Sequence, residues 1–405
     1  MRSALFLLLG LAVALGNVAG AQSYTESVLY NFSVPPVNGM WPWAGLTIDA
    51  VGNLYGATYA GGIRASICSG GCGVLFKLDP QGELTVLHAF RGNDGENVQV
   101  SPTLDAAGNL YGVASTGRRA SQDGTVFKVS PDGTFKIVHR FHGTDGSYPY
   151  SPILIDAASN LYGTTNVGGL YGYGVVYRIS AAGTESVLYN FTGGADGGAP
   201  NGNLLRDGAG NLYGITALGG AAAGGSGFGT IFKLTPSGAE SVLYTFCSTP
   251  GCTDGKYPDS IVRTASGDFY GATTEGGTAD QGTVFGINPA GEEIMLYSFC
   301  SAGTTSNCLD GSTPTGPLFA LDGNLYGTTE SGGLGTDYFV DPGVIYEMSQ
   351  SGVETLLYSF PFPNTYALGG NPESGVISDS NGNLYGTFYS GGPMGGGGIF
   401  KLTKN

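Results

Sequence analysis

Apolar positions in this chain come in short bursts, not long waves. The stretch from residue 200 to 246 shows the pattern most plainly. Pro200 to Asp207 (PNGNLLRD), Asn211 to Ala217 (NLYGITA), Gly229 to Thr235 (GTIFKLT) and Glu240 to Phe246 (ESVLYTF) are separated by Gly-rich or Pro-Ser-Gly breaks. Runs of β-branched and aromatic residues bounded by Gly, Pro, Asn and Asp predict strands. We name them A to D. No stretch keeps a period near 3.6, so no helix is expected in the mature chain.

The same four-run unit returns along the chain. Its most regular phrase is Leu54-Tyr55-Gly56, repeated at Leu110, Leu161, Leu212, Leu325 and Leu384, with a variant at Phe269-Tyr270-Gly271. Seven copies of one supersecondary unit decide the architecture before any local motif is weighed. Strands such as Thr230 to Leu234 and Ser241 to Phe246 are apolar on both faces, as sheets covered on both sides require. Four-stranded antiparallel units arrayed radially make a β-propeller. Strand A, nearest the axis, should be crowded. The second residue after its leading Pro slot is Ala44, Val100, Ser151, Gly202, Ser260, Gly316 and Ser374, all small but one.

The ends of the chain are offset. Glu26 to Phe32 (ESVLYNF) is a strand D with no A to C before it, and Ile399 to Leu402 is a strand C with no D after it. Joining them closes a ring and removes an exposed sheet edge; an open solenoid has no reason for the offset. The expectation is an all-β, seven-bladed propeller of four-stranded antiparallel blades, its last blade completed by the N-terminal strand.

The phrase LYGTT…GG…GTVFK, present in forms such as Leu325 to Thr329 and Gly124 to Val129, resembles the bacterial GloVer tandem repeat across essentially the whole mature chain. The resemblance implies an exported bacterial protein, often with a C-terminal anchor. This chain stops five residues after Phe400 without a sorting segment, so free secretion or periplasmic residence is expected.

Residues 1–21 read as a signal peptide: Arg2, an apolar run from Leu5 to Leu15, then Ala19-Gly20-Ala21 as a cleavage site. A single domain then spans residues 22–405. The apolar run is short of the about 20 residues that span a bilayer, so no membrane span is expected. The formal net charge of -15 makes nucleic acid a poor partner. The six cysteines fall into local pairs, Cys68 with Cys72, Cys247 with Cys252 and Cys300 with Cys308. In an exported protein these read as disulfides that pinch their own loops, in preference to metal sites, since no His lies near and no CxxC occurs.

Short A–B and C–D turns contrast with long, variable B–C and D–A loops, which hairpin geometry places on one face. The D–A loops repeat an Asp-Gly, at Asp94, Asp145, Asp196, Asp254 and Asp310. We read these as turns in which each carboxylate accepts the backbone two residues on, not as a cation ring. Aromatic residues gather in the same loops: Trp41, Trp43, Tyr148, Tyr150 and Tyr257 in D–A, and Tyr171, Tyr173 and Tyr338 in B–C. They are the candidate ligand platform, suited to sugar faces or protein contacts. The repeated Leu-Tyr-Gly tyrosines are read as structural, and so are His88 and His139, which replace a strand-D Tyr. Arg118, Arg119, Asp123 and His142 could converge, but no nucleophile elbow, zinc signature or nucleotide loop occurs. The expectation is a monomeric, non-catalytic binder of a glycan or extracellular protein, needing no cofactor or metal. The alternatives are a propeller lyase or glycosidase, or a purely structural module.

Overall fold

The computed structural model describes residues 24–33, 37–63, 68, 70–117, 123–220, 227–264, 266–288, 290–301, 308–333, 342–361 and 369–405. Among these, regular structure is β throughout apart from one 3-10 turn at Pro250–Cys252. Seven antiparallel sheets form a seven-bladed propeller, each sheet ordered A-B-C-D. In blade 4 the strands are Gly198–Arg206, Leu212–Leu218, Thr230–Leu234 and Glu240–Thr245, close to the predicted runs. The ring closes as expected. Strand D of blade 7 is Tyr24–Asn31, paired with Gly398–Lys404 so that Val28 faces Phe400 and Tyr30 faces Ile399.

The repeated phrase now has a physical account. A Cβ placed on Gly56 or Gly214 would stand 2.6 Å from the ring of Phe76 or Phe232, so strand B needs glycine where the strand-C aromatic crosses it. That aromatic also meets the phenylalanine ending strand D of the preceding blade. Seven such pairs circle the disc, among them Phe32–Phe76 at 5.4 Å, Phe246–Phe285 at 4.9 Å and Phe360–Phe400 at 5.5 Å between centroids. All cross steeply and all are buried.

The rest of the phrase caps the A–B turn. Asp207 Oδ1 accepts the Ala209 and Asn211 amides at 3.0 and 2.9 Å, while Oδ2 accepts Asn211 Nδ2 and the Tyr213 hydroxyl at 2.8 and 3.0 Å. The same tyrosine-to-aspartate bond recurs at Tyr55, Tyr162 and Tyr385. These tyrosines fill one structural slot.

Around the axis Ala44, Ser151, Ser260 and Ser374 are buried. Gly202 and Gly316 adopt positive φ, and a Cβ there would strike Asp259 O at 2.5 Å or Gly375 N at 2.1 Å. Neighbouring first strands are stitched by bonds such as Asn203 Nδ2 to Ile261 O at 2.8 Å and Ser260 Oγ to Gly316 O at 3.0 Å.

Phe246→Ala should remove about 3–5 kcal/mol of stability, measured by chemical denaturation. A loss below about 1 kcal/mol would show that the inter-blade pair does not hold the ring.

Candidate functional site

Each blade delivers one side chain to the axis, from the first strand itself in blades 4 to 6 and from the segment beside it in the others. The residue directly after the Pro slot is Trp43, Gln99, Tyr150, Asn201, Asp259, Thr315 or Glu373 in blades 1 to 7. A chain that repeats its scaffold residues almost letter for letter places seven different side chains here. All but Asn201 line a cavity of about 230 Å³ on the propeller axis, together with Val100, Pro152, Asn203 and Pro317. Among the described residues, no Lys, Arg or His lines it.

The residue two positions earlier sets this aim. Trp41, Asn97, Tyr148, Ala199, Tyr257, Thr313 and Asn371 all have φ between 50° and 60°. The left-handed region is costly for residues other than glycine, and such strain persists only where surroundings impose it. Here the preceding blade imposes it: Tyr148 N donates to Asp123 O, Tyr257 N to Phe228 O and Thr313 N to Gln281 O, each at 2.9 Å. The contact links the D–A loop of one blade to the B–C loop of the last, which puts both variable loop sets on one face.

One side of the mouth is aromatic. Trp43 meets Tyr389 edge-on at 5.2 Å and Tyr59 at 5.9 Å, while Trp41 stacks on Tyr389 at 6.0 Å. The mouth also carries acidic groups. Asp259 Oδ2 accepts the Gly316 amide at 2.6 Å. It keeps an accessible edge although protein surrounds it, and that burial raises its carboxyl. Burial, and then the neighbouring Glu330 and Asp259, push Glu373 up to about 7. Glu330 is itself raised by burial. Burial, followed by Asp259 and Glu373, pushes the Tyr150 phenol up to about 12.

Of the sequence-predicted aromatics, Trp43 and Tyr150 line the cavity and Trp41 braces its wall through Tyr389. Tyr148, Tyr171 and Tyr173 are 45%, 54% and 45% exposed and lie off the cavity. Tyr257 packs edge-on against Phe228 at 5.6 Å. Tyr338 lies outside the described residues, as do Arg118 and Arg119. Asp123 accepts Ser147 Oγ at 2.7 Å, and His142 is exposed. Sequence reasoning missed Asp259, Glu373, Glu330, Tyr59 and Tyr389. The signal was a position that varies from copy to copy inside an otherwise constant phrase.

The D–A aspartates are tied down. Asp94 and Asp145 accept His88 and His139 Nε2 at 2.9 Å, and Asp254 and Asp310 accept the Tyr244 and Tyr297 hydroxyls at 2.9 and 2.8 Å. His88 and His139 therefore replace tyrosine in the same bond. Each Asp also accepts an upstream amide, such as Arg91 N for Asp94 and His142 N for Asp145 at 2.7 Å, instead of one two residues on. A glutamate from the next blade leans on these junctions: Tyr244 also donates to Glu293 at 3.0 Å. Burial pushes Glu185, Glu240, Glu293 and Glu354 up to about 7, and the adjacent D–A aspartate adds to the shift. His139, Asp145 and Glu185 converge within 4.8 Å of one another. The three cysteine pairs are disulfides, Cys68–Cys72, Cys247–Cys252 and Cys300–Cys308.

Radial four-stranded blades around an axial cavity define the class: a seven-bladed propeller with a ligand-sized pocket at its centre. The chain belongs to the Gloeobacter/Verrucomicrobia repeat family, which it matches over residues 15–151, 63–261 and 229–405. No curated protein matches it. Among solved structures it is similar to a streptogramin B lyase, at 14% identity and a TM-score of 0.61 over 94% of this chain and 98% of that one. It is also similar to the extracellular domain of a one-component system of B. thetaiotaomicron, at 14% identity and a TM-score of 0.55. That match covers 94% of this chain and 42% of the other. Identities this low establish the shared fold alone. No helix among the described residues is long and apolar enough to cross a membrane.

The junction glutamates make stability depend on pH. A carboxyl raised from 4.5 to about 7 holds its proton in the folded chain after the unfolded chain has released it. Its stabilising share is complete below 4.5 and lost as pH climbs through 7. His139, lowered chiefly by burial, opposes this as a single group. The melting temperature should be higher at pH 5 than at pH 8, and Glu240→Gln should flatten the difference. A higher value at pH 8 would contradict this account.

Proposed function

We propose that the protein is an exported, non-catalytic binding propeller that takes a glycan terminus at the axial mouth. The observation that carries this reading is the set of seven unlike side chains at one position of the repeat, six of which line the cavity. A scaffold position tolerates repetition, whereas a binding site needs distinct groups at distinct places. An apolar face braced by other aromatics, sharing the mouth with carboxylates, Gln99 and Asn203, suits a sugar. Three disulfides and a fold shared with an extracellular domain support export. We take residues 1–21 as a leader and residues 22–405 as one monomeric domain. A second reading, a propeller enzyme acting on polysaccharide, draws support from Glu373, whose carboxyl near 7 suits general acid–base work.

The test is a glycan array followed by calorimetry on the best ligand. Trp43→Ala and Tyr150→Ala should each weaken binding about tenfold, equivalent to about 1.4 kcal/mol, and Tyr171→Ala less than twofold. Unchanged affinity in both channel variants would remove the site assignment. Shortened or unsaturated sugars after incubation would favour the enzyme.

A further inference from the structure

We propose that the axial mouth selects an amine-bearing sugar over its neutral counterpart, with the ammonium held between Asp259 and Glu373 and the sugar ring against Trp43. The inference rests on the glycan-binding reading and narrows it to a cationic class.

The cavity wall combines aromatic and acidic groups. Blades 5 and 7 contribute Asp259 and Glu373 to its lining, while blade 1 contributes Trp43, backed by Tyr59 and Tyr389. Glu330 of blade 6 adds a third carboxylate close enough to raise Glu373. Elsewhere the turn and loop aspartates are provided for, while the blade-junction glutamates Glu185, Glu240, Glu293 and Glu354 each keep one buried oxygen without a partner among the described residues. The aspartates of the A–B turns accept Asn side chains and backbone amides, and those of the D–A loops accept Tyr or His. At the mouth, Asp259 has a single backbone donor and Glu373 accepts no hydrogen bond among the described residues. Among the described residues no basic side chain sits on the cavity wall, so a ligand bearing positive charge complements it. An ammonium supplies up to three donors and one positive charge. It also gains from the adjacent indole face through a cation–π contact. A neutral acetamido group brings one donor and no charge.

The pH dependence has a definite shape. The groups facing Glu373 are Asp259 and Glu330, which raise its carboxyl, and the Tyr150 and Tyr389 phenols, which stay neutral in this range. A proton on Glu373 competes with the ligand's ammonium. Affinity for the amine-bearing sugar should peak near pH 7, falling below it as Glu373 takes its proton and above it as the sugar's own ammonium is lost, while affinity for a neutral sugar stays level.

The probes are the β-1,4-linked glucosamine tetramer and its N-acetylated counterpart, titrated calorimetrically into the full chain at about pH 7 and about 0.15 M ionic strength, where the Debye length is about 8 Å. The amine should bind at least tenfold more tightly. Glu373→Gln and Asp259→Asn should each erase most of that preference and change binding of the acetylated tetramer less than twofold. Trp43→Ala should weaken both. Glu292→Gln, on an exposed C–D turn, is the control for non-specific attraction to an acidic surface. Circular dichroism confirms that each variant is folded. Equal affinity for the two tetramers, loss shared by Glu292→Gln, or an unchanged Glu373→Gln would overturn the amine preference and leave glycan binding standing. Failure of either tetramer and of the whole glycan array would overturn both.

Discussion

The contact on which the disc depends is the edge-to-face meeting of a strand-D phenylalanine with the strand-C aromatic of the next blade. It is made at every junction, including the one that joins the two ends of the chain. Each pair contributes about 0.5–1.5 kcal/mol beyond the area it buries. Its larger effect is geometric. The strand-C ring reaches the neighbouring blade only because strand B offers a glycine beneath it, so three residues far apart in each unit are specified together. That coupling explains why the unit repeats so closely. A change at any one of the three leaves a clash or a cavity between blades.

With the blades held by their outer and middle strands, the innermost strand is relieved of part of its structural duty. Small residues let the first strands approach the axis, and a left-handed residue pinned by the preceding blade turns the side chain two positions further on toward the cavity. The backbone strain is thus paid seven times at one mouth, which is where strained residues gather when a site is being shaped. The same mouth collects carboxylates whose burial is unfavourable for the chain alone. Both features set a favourable scaffold against an unfavourable centre, the balance expected where stability has been yielded to binding.

Much of the architecture was legible because it is written repeatedly. Strand runs, Gly-Asn turns and the orphan strands at Glu26 to Phe32 and Ile399 to Leu402 all lead to a closed ring. The structural role of the Leu-Tyr-Gly tyrosines was legible for the same reason. The channel was not, because a search for clustered or recurring residues passes over a position defined by its lack of recurrence. Trp41 and Trp43 looked equivalent as neighbours in sequence. Only the left-handed turn at Trp41 separates them, sending one to the wall and the other to the cavity. The direction of the D–A aspartate bonds was equally hidden, since Asp94 reaches back to Arg91 and His88 by way of loop shape, not sequence spacing.

The central claim is a division of labour: aromatic junctions hold the disc, and the axial ring is free to recognise a ligand. It is tested most directly by thermal unfolding of a single variant carrying Trp43→Ala, Tyr150→Ala, Asp259→Asn and Glu373→Gln together. The account predicts a native circular dichroism spectrum and a melting temperature equal to or above that of the unaltered chain, because buried like charges are removed and none of the seven junction ring pairs is touched. A fall as large as that caused by losing one junction phenylalanine would contradict it, and would make the ring part of the scaffold.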